Sequence, residues 1–190
     1  MALSKDYVSY IATEMAAHLG KSGKAKLFEK EKVSEKIRQV ILDDFAREDS
    51  LNQEVRDYLE KYSDQIRRDA LSYQEMFKLI KKELLKKRGI VRSGGEGGKL
   101  PRSKVIELSH QMVKELSGMR HDVELLEPAN EVRLELVRRM QELLRTEANI
   151  DQGVRQKIHS LKRGITEGSE EWDILFRKYY TEEMRKLGVG

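Results

Sequence analysis

Apolar residues recur at steps of three and four along most of the chain: Val8, Ile11, Met15 and Leu19, then Ile37, Ile41 and Phe45, then Leu51, Val55 and Leu59. That spacing lines one face of an α-helix. The pattern is then written a second time. Shifted by 99 residues, positions 33–91 fall on 132–190 without a gap, and Val33, Glu48, Gln53, Val55, Arg56, Ile66, Phe77, Glu83, Lys87 and Gly89 each meet an identical residue. Apolar positions coincide as well: Ile37 with Leu136, Ile41 with Met140, Phe45 with Leu144, Leu59 with Ile158 and Met76 with Leu175. The opening segments match at a shift of 97, where Val8, Met15 and Leu19 meet Val105, Met112 and Leu116. A duplicated unit of about 90 residues accounts for all of this.

Each unit reads as four helices, so the expected fold is all-α, with two tandem, duplicated four-helix units. The first repeat spans 1–91, a Gly-rich linker 92–100, and the second repeat 101–190. The second helices cover about 33–48 and 131–147. The third open on Ser50-Leu-Asn-Gln53 and Asn149-Ile-Asp-Gln152, where a Ser or Asn cap faces a Gln three residues on. The fourth helices end in KKRGIV and RKLGVG, with basic residues in the last turn and Gly89 or Gly188 at a left-handed cap. The glycines of 94–98 form a flexible joint, and Pro101 suits the start of the next helix. Neither copy has apolar surface to spare, so two separate small cores with a limited interface are expected.

The stretch GSEEWDILFRKYYTEEMRKLG holds the single tryptophan. In the repeat register Trp172 falls on Tyr73, Leu175 on Met76, Phe176 on Phe77 and Tyr179 on Ile80. A residue with an apolar counterpart in the sister copy reads as core, so Trp172, Phe176 and Tyr179 form a buried stripe and not a ligand site. Tyr180 matches Lys81 and points off that stripe. Ser169 caps the helix, with Glu170 and Glu171 in its first turn.

The run NIDQGVRQKIHSLKRGITEGSEEWDILFRKYYTEEMRKLG, with LSKDYVSYIATEM at the start and RGIV at the end of the first copy, resembles the bacterial "domain of unknown function 507" family. The resemblance covers nearly the whole chain. It implies a helical, cytoplasmic bacterial protein, and it supplies no activity and no catalytic residue.

Composition narrows the chemistry. There is no cysteine, which removes disulfides, thiolate metal sites and thiol catalysis together and suits a reducing cytoplasm. No apolar run approaches the roughly 18 residues of a membrane span. Asp6 and Glu14 come too early for a secretory leader. The four histidines, His18, His110, His121 and His159, have no helical spacing for a metal. The glycines before Lys99 lack the first glycine and the Ser or Thr of a phosphate loop, and GKSGKAK at 20–26 is likewise a loop. Paired acids such as Asp43 with Asp44 sit among Lys and Arg as solvated faces do. The chain therefore reads as no enzyme, with no cofactor, no metal and no membrane.

Charge supplies the functional expectation. Residues 1–99 hold 21 Lys and Arg against 17 Asp and Glu, whereas 100–190 hold 16 of each. Lys78, Lys82 and Lys86 line one helical face, and Arg155, Lys162 and Arg163 fall in an acid-free run of the second copy. Such faces also complement helix dipoles without any partner. As candidate phosphate contacts they point to a non-enzymatic module that binds RNA, DNA or a ribonucleoprotein. The alternative is a protein-interaction or assembly module, self-association included, in which charged faces pair.

Overall fold

A computed structural model of the chain describes residues 3–68, 72–89, 100–161 and 164–189. The elements run α1 (Lys5–Lys21), β1 (Ala25–Leu27), α2 (Lys30–Lys61), α3 (Ser63–Arg68), α4 (Tyr73–Arg88), α5 (Arg102–Gly118), β2 (Val123–Leu125), α6 (Ala129–His159) and α7 (Glu170–Lys186). The protein is mostly α. Among the described residues, helix, short strand, long helix and terminal helix follow one another in both halves, and the first also has the six-residue α3. The linker at 92–99 lies outside the described residues.

Two expectations about the helices need correction. The breaks expected before Ser50 and Asn149 do not exist: α2 is one helix of 32 residues and α6 one of 31. A capping side chain stabilises a helix end only where the first amides lack carbonyl partners. Here no Gly or Pro interrupts the chain before Ser50, and the apolar stripe keeps its phase through Ile41, Leu51, Val55 and Leu59. Backbone hydrogen bonding therefore continues, and Ser50 and Asn149 are exposed on helix sides. The second correction concerns residues 20–26, where the expected loop runs into β1 from Ala25 onward. It pairs antiparallel with β2, Ala25 opposite Leu125 and Leu27 opposite Val123. A strand of three residues has too little periodicity to register in sequence.

The caps at other ends are those expected. The Ser169 hydroxyl accepts from the Trp172 amide at 3.2 Å. Gly89 ends α4 in the left-handed region at φ 62, and Gly188 takes φ 81 after α7.

The halves do not keep separate cores. α1 and α5 pack with the N-terminal halves of α2 and α6 around one cluster, which includes Ile11, Met15 and Ile37 from the first half and Leu108, Met112 and Leu136 from the second. The β1–β2 ribbon closes one end of that cluster through Ala25 and Val123. Apolar stripes of two amphipathic units match each other as well as themselves, and burying both against one another removes more surface from water than two small cores would. Beyond this centre, α2 and α6 run on, each about 45 Å long in all. The far half of α2 carries a satellite cluster of Val55, Leu59 and Ile66 under α4. The far half of α6 carries Val154 and Ile158 under Trp172 and Phe176 of α7.

Polar contacts between the halves follow the same twofold logic. His18 Nε2 lies 2.5 Å from Glu135, and the positions equivalent to these two hold Glu115 and Lys36, paired at 3.5 Å. Tyr7, fully buried, donates to the Leu143 carbonyl at 2.6 Å, while the equivalent positions hold Lys104 and Asp44, an ion pair at 2.6 Å.

The His18 contact has a pH consequence. The hydrogen bond from His18 holds the Glu135 carboxyl below the usual carboxylate range; burial opposes this, and Arg138 and Lys24 add to it. Between the folded and unfolded values the native state binds fewer protons than the unfolded chain. The resulting stabilisation is fully present above the ordinary value of about 4.3 and is lost as pH falls through the lower folded value. Urea midpoints measured from pH 6 to pH 3 (~3 units, spanning the carboxylate range) are expected to fall more steeply for the wild type than for Glu135→Gln. Parallel curves would remove Glu135 from the acid response.

Candidate interaction site

Four of the six candidate phosphate contacts fall on described residues, and the fold treats them differently. Lys162 and Arg163 lie outside the described residues. Arg155 is held in place: its Nε donates to Asp151 at 2.7 Å, and Nη1 reaches Glu167. Its guanidinium also lies over Trp172 and Phe176, at 5.2 and 5.3 Å from the ring centroids. Hydrogen bonding to Asp151 raises its pKa further and fixes the cation as a lid on the aromatic pair. Arg155 therefore serves the second arm's core. The charge count missed this, although Asp151 four residues earlier on the same helix face is a signal visible in sequence.

Lys78, Lys82 and Lys86 are a different case. All three are exposed along α4 and make no ion pair with any described residue. Their neighbours are engaged: Lys81 donates to Glu48 and Arg88 to Glu54, each at 2.8 Å. The local sequence explains the arrangement. Ser72 caps α4, Met76, Phe77, Ile80 and Leu84 turn toward the satellite cluster, and a four-residue spacing carries the lysines along the outer side.

Beside that row the structure places a feature that charge patterning did not reveal. An open groove of ≈ 690 Å³ runs between α2 and α4. Tyr58 and Glu54 line it from α2; Leu79, Ile80 and Leu84 line it from α4, with Glu83, Lys86 and Lys87 along its edge. Leu79 is 55% exposed and Tyr58 50% exposed. The Tyr62 ring packs at a tilt against Tyr58 with centroids 4.9 Å apart, and Tyr73 is also exposed. Lys86 both lines the groove and ends the lysine row, so apolar and cationic surface adjoin.

The second arm shows that the fold does not require such a groove. In the repeat register Tyr58 meets Lys157, Leu79 meets Lys178 and Leu84 meets Glu183. Lys157 lies 3.9 Å from the Tyr179 ring centroid and Lys178 6.0 Å from it, so cations cover the surface that the first arm leaves open. The cleft that remains there is ≈ 330 Å³ and is lined by Gly153, Lys157 and Glu183 among others. Three apolar residues where the second half carries charge at the 99-residue shift were the signal in sequence.

Among the described residues no group of three or more His, Asp or Glu comes together as a metal site. His110, His121 and His159 are exposed, and His18 is engaged with Glu135. No described helix is long and apolar enough to cross a membrane.

The family model described as "Protein of unknown function (DUF507)" matches residues 1–189. No curated protein matches the chain.

Proposed function

The chain belongs to the DUF507 family, whose description assigns no activity, and from that premise we propose that it is a non-enzymatic binding module that engages a protein partner through the first arm. One observation carries this reading: an apolar groove on α2 and α4, with Tyr58 and Leu79 half or more exposed, whose equivalent in the second arm is covered by lysines. Large apolar side chains held in water at a concave surface mark an interaction site. On this view the halves arose by duplication as two helical repeats joined through the linker. The second arm kept a closed surface, and the first specialised for binding. The absence of cysteine supports work in a reducing cytoplasm.

The exposed row of Lys78, Lys82 and Lys86 favours a second reading, contact with RNA or DNA phosphates. Its weakness is the groove, because phosphate binding gives no reason to expose Leu79 beside the lysines. A photo-crosslinking amino acid placed at position 79, with position 178 as its counterpart in the other arm, separates the readings in cells that express the chain. The expected adduct forms at 79 and not at 178, resists nuclease, yields to protease and disappears with Tyr58→Lys. A nuclease-sensitive adduct would overturn the reading. Salt-dependent binding of labelled RNA or duplex DNA, abolished by Lys78→Glu/Lys82→Glu/Lys86→Glu, would then establish the second.

A further inference from the structure

We propose that the groove of the first arm takes an acidic amphipathic helix from its partner; this rests on the protein-partner reading above and names the partner's chemistry. The groove's apolar floor follows α4 from Leu79 to Leu84, and Lys86 and Lys87 extend it toward the helix end. That length, about 12 Å, corresponds to two turns of a docked helix, enough for two anchors at i and i+4 or i and i+3. Two-helix grooves recognise partners in this way, by an apolar face laid between two ridges.

Charge selects which helix. The α4 side of the groove carries Lys86 and Lys87 against Glu83, and Lys82 and Lys78 continue the positive charge on the adjoining outer face, with Glu75 one turn before Leu79. The acid on the α2 wall, Glu54, is already bound by Arg88 at 2.8 Å. A helix flanked by Asp and Glu meets complementary charge at Lys86 and Lys87 and, on the adjoining face, at Lys82, whereas a basic helix meets repulsion there.

Other occupants fit less well. Two copies joined groove to groove would bring the lysine rows of both chains together. Among the described residues, the remaining large exposed apolar side chains on helices are single: Ile174 on α7, with Asp173 before it and Arg177 and Lys178 after it, and Leu134 on α6, between Arg133 and Glu135. Neither supplies a neighbouring pair of anchors. Residues 92–99 of the chain itself, RSGGEGGK, hold no apolar side chain to insert.

The test is a displayed library of helical peptides with randomised faces, selected on the full-length wild type and counter-selected on Tyr58→Lys/Leu79→Lys. That variant places at the first arm the residues the second arm already carries at 157 and 178, so its fold is expected to survive, checked by circular dichroism and melting. The enriched peptides are expected to share two apolar anchors one turn apart and a net negative charge. Their affinity is expected to fall about tenfold or more in the counter-selected variant and again in Lys78→Glu/Lys82→Glu/Lys86→Glu. Enrichment of basic or charge-indifferent peptides that still depend on Tyr58 and Leu79 would overturn the acidic helix and leave the protein-partner reading standing. No enrichment on the wild type over the variant would overturn both. Peptide-free dimerisation that Tyr58→Lys/Leu79→Lys abolishes would instead assign the groove to a second copy.

Discussion

Replacing Asp44 with Leu is expected to destabilise the protein by about 3 kcal/mol or more, while adding Lys104→Tyr to the same chain restores most of the loss. Lys104 is 1% exposed and Asp44 3% exposed, and their 2.6 Å ion pair joins α5 to α2 across the central core. Removing the carboxylate leaves a buried ammonium whose remaining acidic partner among the described residues is Glu107, 2.8 Å away and a quarter exposed. The penalty of a half-paired buried charge exceeds the small net gain of the intact pair. For a chain of this size the midpoint of thermal unfolding should fall by about 6–12 °C. The double variant copies the equivalent site of the other half, where the Tyr7 hydroxyl donates to the backbone carbonyl of Leu143. The hydroxyl introduced at position 104 would have the carbonyl of residue 44 to donate to, with no charge buried. Urea and thermal unfolding of the two single variants and the double decide the matter. A double variant as unstable as the two single losses added together would show that the equivalence does not extend to this contact.

That pair also marks where sequence reasoning stops. A lysine on a helix reads as solvent-facing, and only the partner half supplies the carboxylate that lets Lys104 go under. The apolar stripes of α1, α5 and the long helices were legible because each recurs in the other half, so agreement between Val8 and Val105 or Ile41 and Met140 carries the assignment. Which stripes face which was not legible, since any amphipathic helix of suitable width complements any other. The same degeneracy hid the merged core. Ser50 and Asn149 misled because capping is a local signal and helix continuity is decided by the backbone hydrogen bonds around it. At the candidate site, the exposure of Lys78, Lys82 and Lys86 followed from helical spacing. For Arg155 only the Asp151 partner four residues earlier was legible; its place over Trp172 and Phe176, which reach it from another helix, was not.

Truncating Phe176 to Ala should lower stability of the whole molecule by about 3–5 kcal/mol, whereas Phe77→Ala at the equivalent place should mainly loosen one arm. Phe176 is 1% exposed, stacks on Trp172 at 4.8 Å and on Tyr180 at 5.6 Å, and supports the Arg155 lid. Its helix does not end in the arm. Tyr180 donates to the buried Glu147 at 2.9 Å, and Met184 and Val189 enter the central cluster. A cavity under α7 therefore loosens a segment that also closes the centre, and unfolding stays coupled. Phe77 is only partly buried, and Leu85 is the single buried residue of α4, which has no share in the central cluster. Few buried contacts let α4 and the far end of α2 open as a unit of low stability. Amide exchange with thermal unfolding separates the cases. Phe176→Ala should lower protection across α1, α5 and α6 together with the melting midpoint. Phe77→Ala should strip protection from α4 and the end of α2, with the midpoint shifted by less than half as much. Equal, global losses in both variants would mean that the first arm is as firmly coupled as the second. If the unequal result is found, the arm that carries the groove is also the one free to adjust around a helix, at little expense to the core that holds it.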